Sequence, residues 1–229
     1  MLKIGHRGAM GYAPENTLGS FARALELGVD GIELDVHVCK SGEVVVIHDE
    51  RVDRTTDGKG QVKEMTLQEL KGLDAGGGER ILTLNEVLDF VDRRAFIDIE
   101  LKAEGIGNSV ADIMRKYIQE HGWKNRDFMI SSFDHHELKR CHDVLPDIPF
   151  GPILAAKPLD YARMAQDMEA EAIMPFFEFL DKNFVQDAHR RGLKVITWTV
   201  NRFDDLKKVL DMGVDGIISN FPDRLRGFE

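Results

Sequence analysis

ALELGVDGIELD at residues 24–35 and VLDMGVDGIISN at residues 209–220 read as one unit used twice: the end of a helix, a glycine turn, the start of a strand. GVDGI is identical in both copies. Gly28 and Gly213 fall where a helix stops and the chain reverses, a place where glycine's tolerance of positive φ is used. The apolar runs that follow are short, which suits buried strands. A helix feeding a strand, near both ends of the chain, is the module of parallel α/β proteins.

The same alternation fills the chain between the copies. Strands are expected at 2–6 (LKIGH), 31–38 (GIELDVHV), 95–102 (AFIDIELK), 128–133 (FMISSF), 150–155 (FGPILA), 172–177 (AIMPFF), 194–200 (KVITWTV) and 216–219 (GIIS). Helical patterns such as LGSFARALEL, VADIMRKYIQEH and FDDLKKVLDM lie between them, and Thr83…Glu86 and Asp134…Glu137 have capping-box spacing. Eight strands with intervening helices in 229 residues predict a TIM (β/α)8 barrel, one domain over 1–229. A doubly wound open sheet is the competing architecture; the repeated unit favours closure. One segment breaks the rhythm. After VVVIHD (44–49), the stretch RVDRTTDGKGQVKEMTLQELKGLDAGGGER carries a turn signal, a short capped helix and a glycine run. It predicts a small insertion after strand two, residues 49–80, over the barrel mouth.

The composition is ordinary: 43% hydrophobic and 31% charged, enough apolar material for a sizeable core. A net charge of −10 argues against nucleic acid or an anionic membrane as the main partner. The two cysteines, Cys39 and Cys141, have no metal or redox spacing and read as inert. MLKIGHRG lacks an apolar h-region of about 7–15 residues, and no apolar run approaches about 18 residues. A cytoplasmic protein without stable membrane association is expected; the oligomeric state is left open.

Barrel interiors are normally filled by branched apolar side chains. Two strands depart from that with a pattern. Glu33, Asp35 and His37 alternate with Leu34 and Val36, and Asp98, Glu100 and Lys102 alternate with Ile99 and Leu101. Each set therefore shares one face. On half-exposed antiparallel strands those faces would meet water, but two independent alternations favour inward faces. Glu33, Asp35 and Glu100 then converge near the C-terminal end of the barrel. Such carboxylates repel, and burial raises their pKa values unless a cation compensates. All-oxygen ligands suit a hard divalent ion, Mg²⁺ or Ca²⁺ and also Mn²⁺, better than zinc. His6 and Arg7 end strand one, and His48 ends VVVIH. Two histidines for proton transfer, Arg7 and Lys102 for phosphoryl oxygens, and a metal are the equipment for hydrolysing a phosphate diester.

HRGAMGYAPENT (6–17), ELDVHVCKSGEVVVIHDE (33–50) and IELK (99–102) resemble the glycerophosphodiester phosphodiesterases, here the short cytoplasmic type. SSFD (131–134), TWTVN (197–201) and GVDGIISNFPD (213–223) look like later blocks of that family. The resemblance implies metal-dependent hydrolysis of a glycerophosphodiester to glycerol 3-phosphate and an alcohol. Carried over by motif, His6 and His48 form the general acid/base pair, and Arg7 binds phosphate. Glu33, Asp35 and Glu100 hold the metal, and Lys102 contacts phosphate or the glycerol end. Glu15 and Asn16 order the first loop and reach toward the metal shell. Trp198 packs on substrate at the mouth, though as a strand-seven aromatic it equally suits the core. Residues 49–80 match the family's small insertion. One departure is Ser219-Asn220, where family members often carry Thr-Asp; asparagine cannot supply the negative charge.

Three other readings compete. A lysophospholipase D acting on lipid is opposed by the negative charge and the lack of an apolar anchor. A binding barrel without turnover is opposed by the presence of both histidines. Enolate chemistry with Lys102 as base leaves His6, Arg7 and His48 without a task. The nucleophile, the glycerol 2-hydroxyl or water, stays open, as does the alcohol. Among the remaining residues, His135 and His136 are expected as partly exposed first-turn residues, and Phe133, Phe176, Phe177 and Phe179 as pocket wall or packing.

Overall fold

The computed structural model describes residues 1–227. The barrel strands are β1 (Leu2–His6), β2 (Gly31–Val38), β5 (Phe96–Leu101), β6 (Phe128–Ser132), β7 (Phe150–Leu154), β8 (Ala172–Pro175), β9 (Lys194–Thr197) and β10 (Gly216–Ser219). Each pairs in parallel with the next in that order, and β1 pairs with both β10 and β2, so the sheet closes. The eight-stranded parallel barrel expected from the sequence is therefore the fold, and strand boundaries differ by at most three residues. The largest shortfall is β9, which leaves the ladder after Thr197 and gives Trp198 to the mouth.

Helices α1 (Leu18–Glu26), α3 (Leu84–Val91), α4 (Gly107–Glu120), α5 (His135–Val144), α6 (Arg163–Asp167), α7 (Lys182–Arg190) and α8 (Phe203–Met212) lie between successive barrel strands. After β10 a short 3-10 helix, Pro222–Leu225, follows among the described residues. Outward-facing strand residues such as Ile32, Leu34, Ile97 and Ile99 pack on helix residues such as Phe21, Leu88 and Met114. The inward face is the smaller cluster of Ile4, Met129, Ile153, Met174, Ile196 and Ile218. Full burial of each such side chain stabilises by about 1.5–3 kcal/mol.

The repeated GVDGI unit has the same task in both copies. Asp30 accepts from the Lys3 amide of β1 at 2.8 Å, and Asp215 accepts from the Val195 amide of β9 at 2.8 Å. Each carboxylate ties the bottom of its strand to a neighbour. Gly213 caps α8 in the left-handed region at φ 87°, and Gly28 follows α1 at φ 68°.

Between β2 and α3 the chain adds β3 (Val44–Val46), α2 (Leu67–Lys71) and β4 (Leu82–Thr83). β3 folds back antiparallel on the end of β2, Val36 to Val46, and β4 pairs antiparallel with β3. Five residues of helix are marginal alone. Here α2 carries a reciprocal capping box between Thr66 and Glu69. It also buries Leu70 against Val45, Ile47, Val52, Val62 and Ile81, a small core separate from the barrel's. Among the described residues no helix is long and apolar enough to cross a membrane.

Candidate active site

The C-terminal ends of β1, β2 and β5 gather the polar residues singled out by the sequence. Glu33 and Asp35 on β2 lie in register with Asp98 and Glu100 on β5, all facing inward. Glu33, Asp35 and Glu100 are buried, and one carboxylate oxygen from each lies within 4.8 Å of the others. Burial, then Asp35 and the other carboxylates, pushes the Glu33 carboxyl well above the usual range. Burial and Asp35 raise Glu100 to about 7. Glu33 Oε1 and Asp35 Oδ1 are buried without a hydrogen-bond partner. Unpaired carboxylate oxygens that are buried and mutually repelling are costly, and a divalent cation resolves both the charge and the missing partners. The donor set is all carboxylate and fits a hard ion such as Mg²⁺ or Ca²⁺.

The loop after β1 is built around this cluster. Arg7 and Asn16 take φ of 50° and 58°, and Gly8 takes 83°. A side chain at Gly8 would drive a Cβ to 2.5 Å from the Ser20 hydroxyl and 2.7 Å from its backbone, so only glycine fits. The reversal aims the Arg7 amide at Glu33 Oε2, 2.9 Å, and lets Ser20 Oγ donate to the Arg7 carbonyl at 2.7 Å. Arg7 Nη1 donates to Glu15 at 2.7 Å and its Nε lies 3.3 Å from Asp35. Asn16 Nδ2 donates to Asp35 Oδ2 at 2.9 Å, so PENT reaches the acidic cluster directly. Lys102 donates to Glu100 at 2.7 Å and lies 3.7 Å from Asp35. Burial pulls its pKa down, but Glu100 and Asp35 outweigh burial and hold the ammonium above its ordinary value.

Both histidines are oriented through Nδ1. His6 Nδ1 lies 2.6 Å from Asn220 Oδ1. An amide oxygen only accepts, so the proton sits on Nδ1 and neutral His6 keeps its Nε2 lone pair. His6 Nε2 is 3.9 Å from Glu33. Burial, then Arg7, lowers His6 to about 4. His48 Nδ1 lies 2.6 Å from Asp49 Oδ1, leaving Nε2 facing Lys102 at 3.3 Å. Arg54 from the insertion then bridges Asp49, at 2.7 Å, and Glu15, at 2.7 Å. Its guanidinium, mainly through hydrogen bonds, holds the Asp49 carboxyl far below the usual carboxylate range.

These groups open on a cavity of about 100 Å³ lined by His6, Arg7, Glu33, His48, Glu100 and Lys102 on one side. Phe133, Ile153, Met174, Trp198 and Ile218 line the other. Trp198 is at the mouth rather than in the core, its indole N–H donating to the Met174 carbonyl at 2.8 Å. Every residue singled out for the site thus borders this pocket or bonds to a residue that does. His37 does not join the acidic cluster; its Nε2 meets the His48 carbonyl at 3.1 Å. His135 and His136 open α5 as expected, His136 exposed and His135 partly exposed with its Nε2 3.1 Å from the Ile153 carbonyl.

Asp49, Arg54 and the His6–Asn220 contact were not anticipated. Asp49 adjoins His48 in sequence, a usable signal, but Arg54 joins only through the fold of the insertion. Asp98 was read as part of an alternating face and given no role. It is buried below the acidic cluster, accepts from Ser131 at 2.8 Å and keeps Oδ2 unpaired. Burial, followed by Asp35, raises it to about 7 against the Ser131 hydrogen bond.

Comparison with known proteins agrees with this geometry. The model of the glycerophosphoryl diester phosphodiesterase family matches residues 6–224. A glycerophosphodiester phosphodiesterase of Caldanaerobacter subterraneus subsp. tengcongensis is 41% identical over 234 residues, covering 98% of this chain and 96% of the relative. One from Bacillus subtilis is 33% identical over 247 residues, covering 97% and 84%. A phosphodiesterase structure from Oleispira antarctica, in complex with the product sn-glycerol-3-phosphate, superposes with a TM-score of 0.90 at 30% identity, covering 98% of this chain and 95% of that one. The chain is an enzyme and belongs to the glycerophosphoryl diester phosphodiesterase family.

Proposed function

We infer that the enzyme hydrolyses glycerophosphodiesters to glycerol 3-phosphate and an alcohol, with Glu33, Asp35 and Glu100 holding Mg²⁺ or Ca²⁺ and with His6 and His48 transferring protons. The observation that carries this reading is one pocket containing a buried three-carboxylate cluster, two cationic side chains and two imidazoles held through Nδ1. The product bound by the Oleispira enzyme supports the choice of substrate. A divalent ion in the cluster supplies Lewis-acid stabilisation of charge on the phosphoryl oxygens.

Arg7 and Lys102 add donors for the same oxygens, fixed in place by Glu15, Asp35 and Glu100. One imidazole Nε2 takes the proton of the attacking hydroxyl, from water or from the glycerol 2-position. The other acts in its doubly protonated form, giving its Nε2 proton to the departing alkoxide while its Nδ1–H stays on the orienting oxygen. Asn220 and Asp49 hold the two rings with Nε2 aimed into the pocket. Residues 49–80 act as a cover at the mouth, anchored by Arg54 on Glu15 and Asp49.

The bond cleaved tests the reading. Phosphorus NMR of a reaction with glycerophosphocholine is expected to show glycerol 3-phosphate as the product. Phosphocholine appearing instead would place the leaving group on the wrong side of phosphorus and contradict it.

A further inference from the structure

The wall opposite the acidic cluster is built of aromatic rings that the hydrolytic chemistry leaves without a task. Phe133, just after β6, is 47% exposed although it lines the cavity. Its ring meets Trp198 edge-on, with centroids 5.4 Å apart at 89°. Phe176 also packs on Trp198, 5.1 Å and 46°. Phe133 and Trp198 line the cavity and form an aromatic corner, with Phe176 supporting Trp198. At 47% exposure Phe133 realises only part of the burial a core phenylalanine would, and packing alone accounts for its placement incompletely.

What would occupy this corner follows from what it offers. Lys102 Nζ, held on Glu100 at 2.7 Å, lies 5.8 Å from the Phe133 centroid, so a second cation has to use ring surface turned away from Lys102. Beside these rings the lining is largely apolar, with Ile153, Met174 and Ile218. The Met174 carbonyl accepts from the Trp198 indole, the Ser131 hydroxyl donates to Asp98, and Thr199 supplies a second hydroxyl. A primary ammonium needs three acceptors to replace its water; a quaternary ammonium needs none and gains from ring faces.

Resting on the reading above, we propose that Phe133 and Trp198, the latter backed by Phe176, seat the quaternary ammonium of a choline-type leaving alcohol. The phosphate then lies against Arg7, Lys102 and the acidic cluster, and the short choline chain spans to the rings. The enzyme accordingly favours glycerophosphocholine over glycerophosphoethanolamine and glycerophosphoglycerol.

The test compares kcat/KM for these three diesters in the wild type, Phe133→Leu and Phe133→Tyr. Leucine keeps the apolar surface without a π face, and the site is too exposed for the change to unfold the protein. The wild type is expected to favour the choline diester about tenfold, the scale of one desolvated cation–π contact. Phe133→Leu should lose most of that ratio, chiefly through KM, and Phe133→Tyr should keep it. Equal rates on all three diesters in the wild type, or a uniform fall in Phe133→Leu, would overturn the proposal. So would a preference for lysophosphatidylcholine over glycerophosphocholine that Phe133→Leu retains, which would assign the wall to an acyl chain. If no diester is turned over with any metal, the functional reading fails first. Calorimetric binding of phosphocholine against phosphoethanolamine then decides the proposal: preference for phosphocholine supports it, and equal binding overturns it.

Discussion

At the scale of single residues, the His6–Asn220 pair shows how the site tolerates a departure from the family pattern. From the sequence, asparagine at 220 meant only a missing negative charge. In the structure its amide oxygen holds His6 Nδ1 at 2.6 Å and fixes the tautomer without any charge. Its own placement is set by Asn201, whose Oδ1 accepts from the Asn220 amide at 2.9 Å. Asn220→Leu frees the imidazole to rotate and is expected to lower kcat by roughly 10–100-fold, part of the ~10²–10⁴ a proton-transfer residue contributes. Metal binding, measured by calorimetry, should stay at the wild-type level. A kcat within twofold of wild type would mean that His6 is oriented by something else. The acidic and basic residues themselves were legible because alternation along a strand maps directly onto a face. The orienting partners Asn220, Asp49 and Arg54 were not, because loops bring them in and no periodicity governs a loop.

At the scale of elements, the Asp134…Glu137 spacing shows where a local motif is overruled. Asp134 caps α5 as expected, accepting from the His136 and Glu137 amides. The Asp134 amide, however, donates to Ser132, and the Glu137 carboxylate turns instead to the loop before α4. It accepts from the Gly105 amide at 2.9 Å and the Gly107 amide at 2.6 Å, with Arg140 on the outside. Two amides needing an acceptor, the Gly107 one buried, outweigh one exposed cap. Thr83…Glu86, with no such competitor, forms the full capping box. Glu137→Gln should therefore destabilise by about 1–3 kcal/mol, the cost of poorly satisfied buried donors. The pH dependence has a definite sign. Burial alone would raise the Glu137 pKa, but the Gly105, Arg140 and Gly107 contacts outweigh it and lower the pKa below its ordinary 4.5. Its contribution is thus present above pH 4.5 and lost as pH falls through the lower folded value. In thermal melts the gap between wild type and Glu137→Gln should narrow below that pH. A gap that widens on acidification would refute the assignment.

At the scale of the whole molecule, the barrel carries a functional cost at its centre. Eight strands were legible because short apolar runs alternate with amphipathic helices, and the GVDGI repeat survived into three dimensions as the same Asp-to-strand tie. The insertion's antiparallel β3 and β4 were less legible, since two or three residues are too short to show a period. Convergence of the acids required β2 and β5 to pair in register across the inserted segment, a long-range contact. With Glu33, Asp35 and Glu100 buried together, the metal-free protein holds repelling charges that an ion relieves. Glu33→Gln should therefore melt higher than wild type in chelator. Excess Mg²⁺ or Ca²⁺ should raise the wild type by roughly 5–10 °C at a hundredfold over Kd, yet leave Glu33→Gln nearly unchanged. A chelated Glu33→Gln that melts lower than wild type would mean that this carboxylate is satisfied by protein groups alone. The most direct measurement of the central claim is release of glycerol 3-phosphate from glycerophosphocholine by metal-stripped protein, with Mg²⁺, Ca²⁺ and Mn²⁺ restored one at a time. Release that requires the ion and falls by about 10²-fold or more in both His6→Ala and Glu33→Ala is the predicted result. Undiminished release by the stripped protein, or by either variant, would contradict it.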